Sequence, residues 1–335
     1  MTAEPEPAGG ETPPKNKRIW GIAIGAILIG IVALALFFFF RPGSSAAALL
    51  RYLPPGADLY VLADLEALQS NLAVRKLLAD SPTFARGEEY EQFVQGTGFR
   101  YQQDLKQLVV AKIGPDWLGA ARVQLDQAKM VQHLKSQGGE AIQEEGLTIY
   151  RYGQIRPFRL VFLQDDLAVF TVGSDADPIR QMVKRFRGQL DDSASIEMEQ
   201  ANSSGHFSGG GQLQVFGRMD RWLISPNPEP RIQVLELAKI FLKGSKRLYG
   251  TVKSGLTSLD FHVEAECDSP ADAERIAQTS QIFLKMLVAA PPSQTADQML
   301  PALLSGIAVR SEQASVYFEW RWDRETLSLL EQNSQ

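Results

Sequence analysis

Reactive side chains are scarce in this chain. Among 335 residues there is one cysteine, Cys267, and only three histidines, His133, His206 and His262. A single cysteine excludes an intrachain disulfide and any cysteine-based metal cluster, so ordinary apolar packing must hold the fold. The chain has no GxxxxGK[ST] phosphate loop, GxSxG elbow, HExxH pair or SxxK motif, and Gly96-Thr97-Gly98 lacks the third glycine of a dinucleotide turn. No catalytic residue, cofactor or metal is assigned on this basis. A formal net charge of −5 argues against nucleic acid as a partner.

What the chain does have is one long apolar run. Residues 19–40, IWGIAIGAILIGIVALALFFFF, carry no charge, and fourteen of the twenty-two are Ile, Leu, Val or Phe. As a helix rising ~1.5 Å per residue, such a run covers about 33 Å, enough for a hydrocarbon core of roughly 30 Å. Lys15, Lys17 and Arg18 precede it and only Arg41 follows closely. The positive-inside rule then places residues 1–18 in the cytoplasm and the remaining mass outside. The tail is rich in Pro, Glu and Gly and is expected to be disordered; it is too short for a cytoplasmic output domain. A cleaved signal peptide is the competing reading, with Ala46-Ala47-Ala48 as the cleavage site, but signal cores usually run about 7–15 residues. Within the run, Gly21, Gly25 and Gly30 (with Ala26) stand one turn apart, a spacing that allows two spans to pack as a homodimer.

A linker over 41–52 leads to an outer region of about 280 residues, enough for a sizeable core. Its pattern predicts an α+β module of antiparallel sheets with helices on one face of each. Two halves, 53–188 and 212–333, share a plan of strand and short helix, hairpin, helix, hairpin and helix. A polar, glycine-rich junction over 189–211, with one short helix expected in it, separates them. Strand signals are clearest in 256–267, where Leu259, Phe261, Val263, Ala265 and Cys267 alternate with polar residues, and in 316–322. Asp64, Asp126 and Ser269 read as helix N-caps, the last followed by Pro270 at the first helical position. A helix is also expected over 232–242.

The opening Leu53-Pro54-Pro55-Gly56-Ala57-Asp58, with Asp64-Leu65-Glu66-Ala67-Leu68 after its strand, carries a resemblance. So do Val123-Gln124-Leu125-Asp126 and Gly146-Leu147-Thr148-Ile149-Tyr150-Arg151. Over the first half of the outer region the chain resembles uncharacterised bacterial cell-envelope proteins with one N-terminal span and a large outer domain. The resemblance implies an inner-membrane, single-pass setting and supplies no activity.

Two constellations are candidate sites. Asp260, His262 and Glu264 alternate along one strand, so their side chains share a face with Cα atoms ~6.6–6.8 Å apart, a spacing that suits a ligand or metal. The plainer reading is the solvent face of an amphipathic strand. Arg180, Lys184, Arg185 and Arg187 lie on one helix opposite its apolar stripe, Ile179, Met182, Val183 and Phe186. They suit anionic lipid or an acidic partner, although solvation of a surface face explains them as well. The expectation is thus a non-enzymatic module tethered to the bilayer through 19–40 that binds or scaffolds an envelope protein. A tethered binder of lipid or another apolar ligand is the alternative, and an envelope hydrolase the third reading.

Overall fold

The apolar–polar alternation is realised in one antiparallel sheet rather than two. The computed structural model describes residues 46–69, 71, 74, 88–144, 146–154, 156–173, 175–207, 211–222, 242–255, 257–289, 304 and 306–326. The apolar run at 19–40, with Gly21, Gly25 and Gly30, and the helix expected over 232–242 lie outside these residues. Among the described residues no helix is long and apolar enough to cross a membrane.

Strands β1 (Leu59–Asp64), β2 (Leu105–Ile113), β3 (Asp116–Val123), β4 (Glu140–Glu144), β5 (Leu147–Tyr152), β6 (Phe158–Gln164) and β7 (Leu167–Val172) come from the first half. The second half supplies β8 (Leu213–Arg218), β9 (Ser245–Ser254), β10 (Leu259–Cys267), β11 (Ala308–Glu312) and β12 (Ser315–Trp322). Their order is β11-β12-β10-β9-β8-β1-β2-β3-β7-β6-β5-β4. The halves join at the β1–β8 pair, where Val61 faces Val215. Outward from there the order is β1-β2-β3-β7-β6 in one direction and β8-β9-β10-β12-β11 in the other. One rung follows this order: Leu160, Phe170, Gly119, Val110 and Val61, then Val215, Gly250, Val263, Phe318 and Val309. Gly119 is required there, because a Cβ would lie 2.2 Å from the Phe170 ring.

Cross-strand partners share a face, so this rung defines the first face of the sheet. On it sit three apolar clusters. One, around Ala121, Leu160 and Ala168, packs against Met130 and Leu134 of the Gln127–Ser136 helix. A second joins Phe261, Leu213 and Val252 to Leu65 and Leu68. The third sets Ala265, Cys267 and Val316 against Ala273, Ile276 and Ala277 of the Pro270–Ala289 helix. Caps act as expected: Asp64 Oδ1 accepts from Ala67 N, Asp126 Oδ1 from Lys129 N, and Ser269 Oγ from Asp272 N.

The second face carries one continuous core from β5 to β9 in the sheet order, from Ile149 and Val161 through Leu118, Val109 and Leu62 to Phe216 and Tyr249. The turn Leu50–Tyr52 and the helices Asp177–Phe186 and Ala194–Ser203 cover it. The last of these is the short helix expected within 189–211, but the stretch is more than a polar junction: Ala194, Met198, Ala201 and Phe207 are buried in this core. Strand β4, EAIQE, has no alternation of burial and is not apparent from the sequence.

Cys267 is buried, and that burial pushes its thiol up from 9.0 to about 11. Tyr249, raised from 10.0 to about 12 chiefly by burial, shifts the same way. In both cases the fold favours the neutral form. Their contribution is complete below the unfolded values and is lost as pH rises through the folded ones. Melting temperature is therefore expected to fall as pH rises above about 9, the ordinary thiol value. Cys267→Ala should flatten the part of that fall between pH 9 and about 11, measurable by thermal melts in steps of half a pH unit. An unchanged slope in the variant would remove Cys267 from this account.

Candidate functional site

The apolar cleft lies on the first face, beneath the far half of the Pro270–Ala289 helix. Val263, Phe283, Leu284, Ile307, Phe318 and Trp320 line about 270 Å³, with the Ser280 hydroxyl as the polar side-chain group among them. The helix begins with Ser269 and Asp272 bonded to each other, Ser269 Oγ donating to Asp272 Oδ2 at 2.7 Å, and its first turns bury Ala273, Ile276 and Ala277. These pack on Ala265, Cys267 and Val316; further along, Phe283 and Leu284 line the cleft. The outer side of the same stretch is apolar too: Ile282 is 59 % and Met286 66 % exposed, and Val288 is also exposed.

The trio predicted on β10 does share a face, but the sheet divides it among different partners. His262 Nδ1 lies 3.1 Å from Glu319 Oε1, and Asp260 Oδ1 3.5 Å from Arg321 Nε. Glu264 is only 5 % exposed, so this is not a plain solvent face. Its Oε1 accepts from Ser315 Oγ at 2.8 Å and Tyr317 OH at 3.4 Å, while Oε2 meets His206 Nδ1 at 2.9 Å. Among the described residues no group of three His, Cys, Asp or Glu side chains could hold a metal ion. His206, which sequence reasoning left without a role, joins Glu264 across fifty-eight residues.

Nor do the four basic residues form one free face. Arg185 is buried, with Nε donating to Asp192 O at 2.6 Å and Nη2 to Asp192 Oδ1 at 3.0 Å. Arg180 donates to Glu144 Oε1 at 2.5 Å and Asp177 Oδ1 at 3.3 Å. Those contacts raise the Arg180 guanidinium pKa, led by its hydrogen bond to Glu144. Lys184 is half-buried and Arg187 is exposed. Trp320 and Trp322 face the core, as their alternation predicts, packing on Phe261.

The described fold is thus an α+β unit on a large antiparallel sheet, with an apolar cleft on one face. No protein-family model matches the chain, and no curated protein matches it. Solved structures with a similar course include crystal form III of TP0453, at a TM-score of 0.48 and 12% identity over 85% of this chain and 98% of that one. Crystal form IV of TP0453 gives 0.47 and 10% over 86% and 100%, and crystal form I gives 0.42 and 11% over 85% and 97%. No ligand or activity is carried over from a likeness this distant.

Proposed function

We propose that this chain is a membrane-tethered, non-enzymatic binding module of the cell envelope, and that its ligand is the hydrocarbon chain of a lipid. The observation that carries the reading is the apolar cleft under the Phe283–Leu284 turn, with Ile282 and Met286 exposed on the other side of the same helix. Ligand sites are typically apolar clefts with few polar groups, and Ser280 supplies one. The source of lipid follows from the sequence. Only five residues separate Phe40, the end of the apolar run, from Ala46, where the described fold begins. At 3.3–3.6 Å per residue they reach about 20 Å, so a bilayer holding 19–40 lies within that distance of the module. The N-terminus is then cytoplasmic and the module extracytoplasmic. The matching outward strand order from β1–β8 supports two copies of one structural unit, with this cleft in the second.

The test is native mass spectrometry and lipid extraction on the full-length protein purified from its own membrane. Wild type is expected to retain lipid, and Leu284→Asp to lose it by at least about ten-fold, equivalent to about 1.4 kcal/mol. Thermal melting run alongside must show the variant folded. Retention of lipid by folded Leu284→Asp, or its absence from wild type, would sink the reading.

A further inference from the structure

A second cavity lies on the opposite face of the sheet, between the Ala194–Ser203 helix and strands β8 and β9. It holds about 230 Å³ and is lined by Glu197, Gln200, His206, Arg218, Arg247 and Tyr249, among others. Its floor belongs to one rung of the second face: Tyr60, Phe216, Tyr249, Glu264, Tyr317 and Arg310. The rung starts as stacked aromatic rings, with Phe216 and Tyr249 centroids 5.4 Å apart. At Glu264 it becomes a buried carboxylate, and it ends with Arg310 over the Tyr317 ring at 4.1 Å.

His206 lies flat on Tyr249, the ring centroids 4.0 Å apart and the planes 3° from parallel. Its Nδ1 edge meets Glu264 on β10. With Nδ1 engaged by Glu264, Nε2 is the ring nitrogen left to meet a ligand, and His206 lines the cavity together with Arg218. Two guanidinium groups complete the wall. Arg218 Nη2 donates to Glu197 Oε1 at 2.5 Å, and Arg247 Nη1 to Glu266 Oε2 at 3.3 Å. Each carboxylate orients its arginine through one nitrogen, and a guanidinium has five N–H donors in a fixed fork. Glu264 and Glu266 stand behind their bases and do not line the cavity, so its lining has two guanidinium groups and an imidazole against the single carboxylate of Glu197.

We propose that this cavity binds the phosphate of a phosphate monoester, with Arg218 and Arg247 gripping its oxygens and His206 Nε2 taking a hydrogen bond from it or, once protonated, giving one. Tetrahedral oxyanions suit forked donors converging from two strands, and Gln200 and the Tyr249 ring leave room for a small polar substituent. The site is independent of the apolar cleft, because the sheet separates them. The same phosphate chemistry is carried by a soluble metabolite or by a lipid headgroup.

Isothermal titration of the full-length protein in detergent decides, using inorganic phosphate, glycerol phosphate and a short-chain phosphatidic acid below its micelle concentration. Saturable binding is expected for at least one of the esters. It should weaken at least about ten-fold in Arg247→Met and also in His206→Gln, two variants that test the site from different elements. Competition by inorganic phosphate and glycerol phosphate identifies a soluble ligand, and binding of phosphatidic acid alone identifies a headgroup. Either supports the site. No saturable binding by any of the three, or equal binding by wild type and both folded variants, overturns it. Leu284→Asp, on the other face, is expected to leave phosphate binding unchanged, so the two readings fail separately.

Discussion

Phe261→Ala is expected to lower folding stability by about 3–5 kcal/mol, the range for removing a buried aromatic side chain. Phe261 is buried at the end of the first face where β9, β10 and β12 meet the Leu65–Gln69 helix. Its ring stacks on Trp320, the centroids 4.6 Å apart and the planes 2° from parallel, and meets Trp322 edge-on at the same distance. Alanine would remove the ring on which both indoles pack and leave a cavity between paired strands. Urea unfolding followed by tryptophan fluorescence and by far-ultraviolet circular dichroism measures the loss. Because both indoles report on this cluster, the native fluorescence should shift as well. A loss below about 1 kcal/mol would mean that the cluster does not anchor this half of the sheet.

The second large effect is at Arg185. Its side chain is 2% exposed, and two of its nitrogens are spent on Asp192. Arg185→Ala removes a buried, hydrogen-bonded cation and the packing of its stem, and should cost about 2–4 kcal/mol. Asp192→Ala should cost less than this, since the Asp192 carbonyl still accepts from Nε. By contrast, Lys184→Ala is expected to stay within about 0.5 kcal/mol of wild type, as ordinary surface changes do. Denaturation midpoints compared with binding to anionic vesicles separate the two roles. If Arg185→Ala left stability intact but abolished vesicle binding, its place in the core would be refuted and the membrane-facing reading restored.

These two residues also show what the sequence makes legible. Alternation in 259–267 and 316–322 places Phe261, Trp320 and Trp322 on one face correctly, because period-two burial is a local signal. The caps at Asp126 and Ser269 are local as well. Arg185 is different. By residue type it groups with Lys184 and Arg187, and the carboxylate and carbonyl that pair with it come from Asp192, beyond the end of the helix. Glu264 misleads in the same way: its strand neighbours mark a polar face, while its burial depends on His206, Ser315 and Tyr317, all distant in sequence. The Ala194–Ser203 helix has Ala194, Met198 and Ala201 at helical spacing, but the serines and glycines around them dilute the pattern. The joining of two halves into one sheet has no local signature, since it rests on pairing Leu59–Ala63 with Leu213–Gly217.

That pairing sets a condition on how the chain is made. Strand β1 is among the first elements synthesised, yet it ends in the middle of the sheet with a neighbour on each side. Its β2 partner follows by residue 113, but β8 starts only at residue 213, about 150 residues after β1 ends. At roughly 5–20 residues per second the open side of β1 waits on the order of ten seconds or more for its partner. Throughout that interval Leu59, Tyr60, Val61, Leu62 and Ala63 present an unprotected apolar edge, the arrangement that recruits strands from other chains. A product truncated at residue 188 would keep that edge permanently and is expected to self-associate, whereas the complete chain closes it with its own second half.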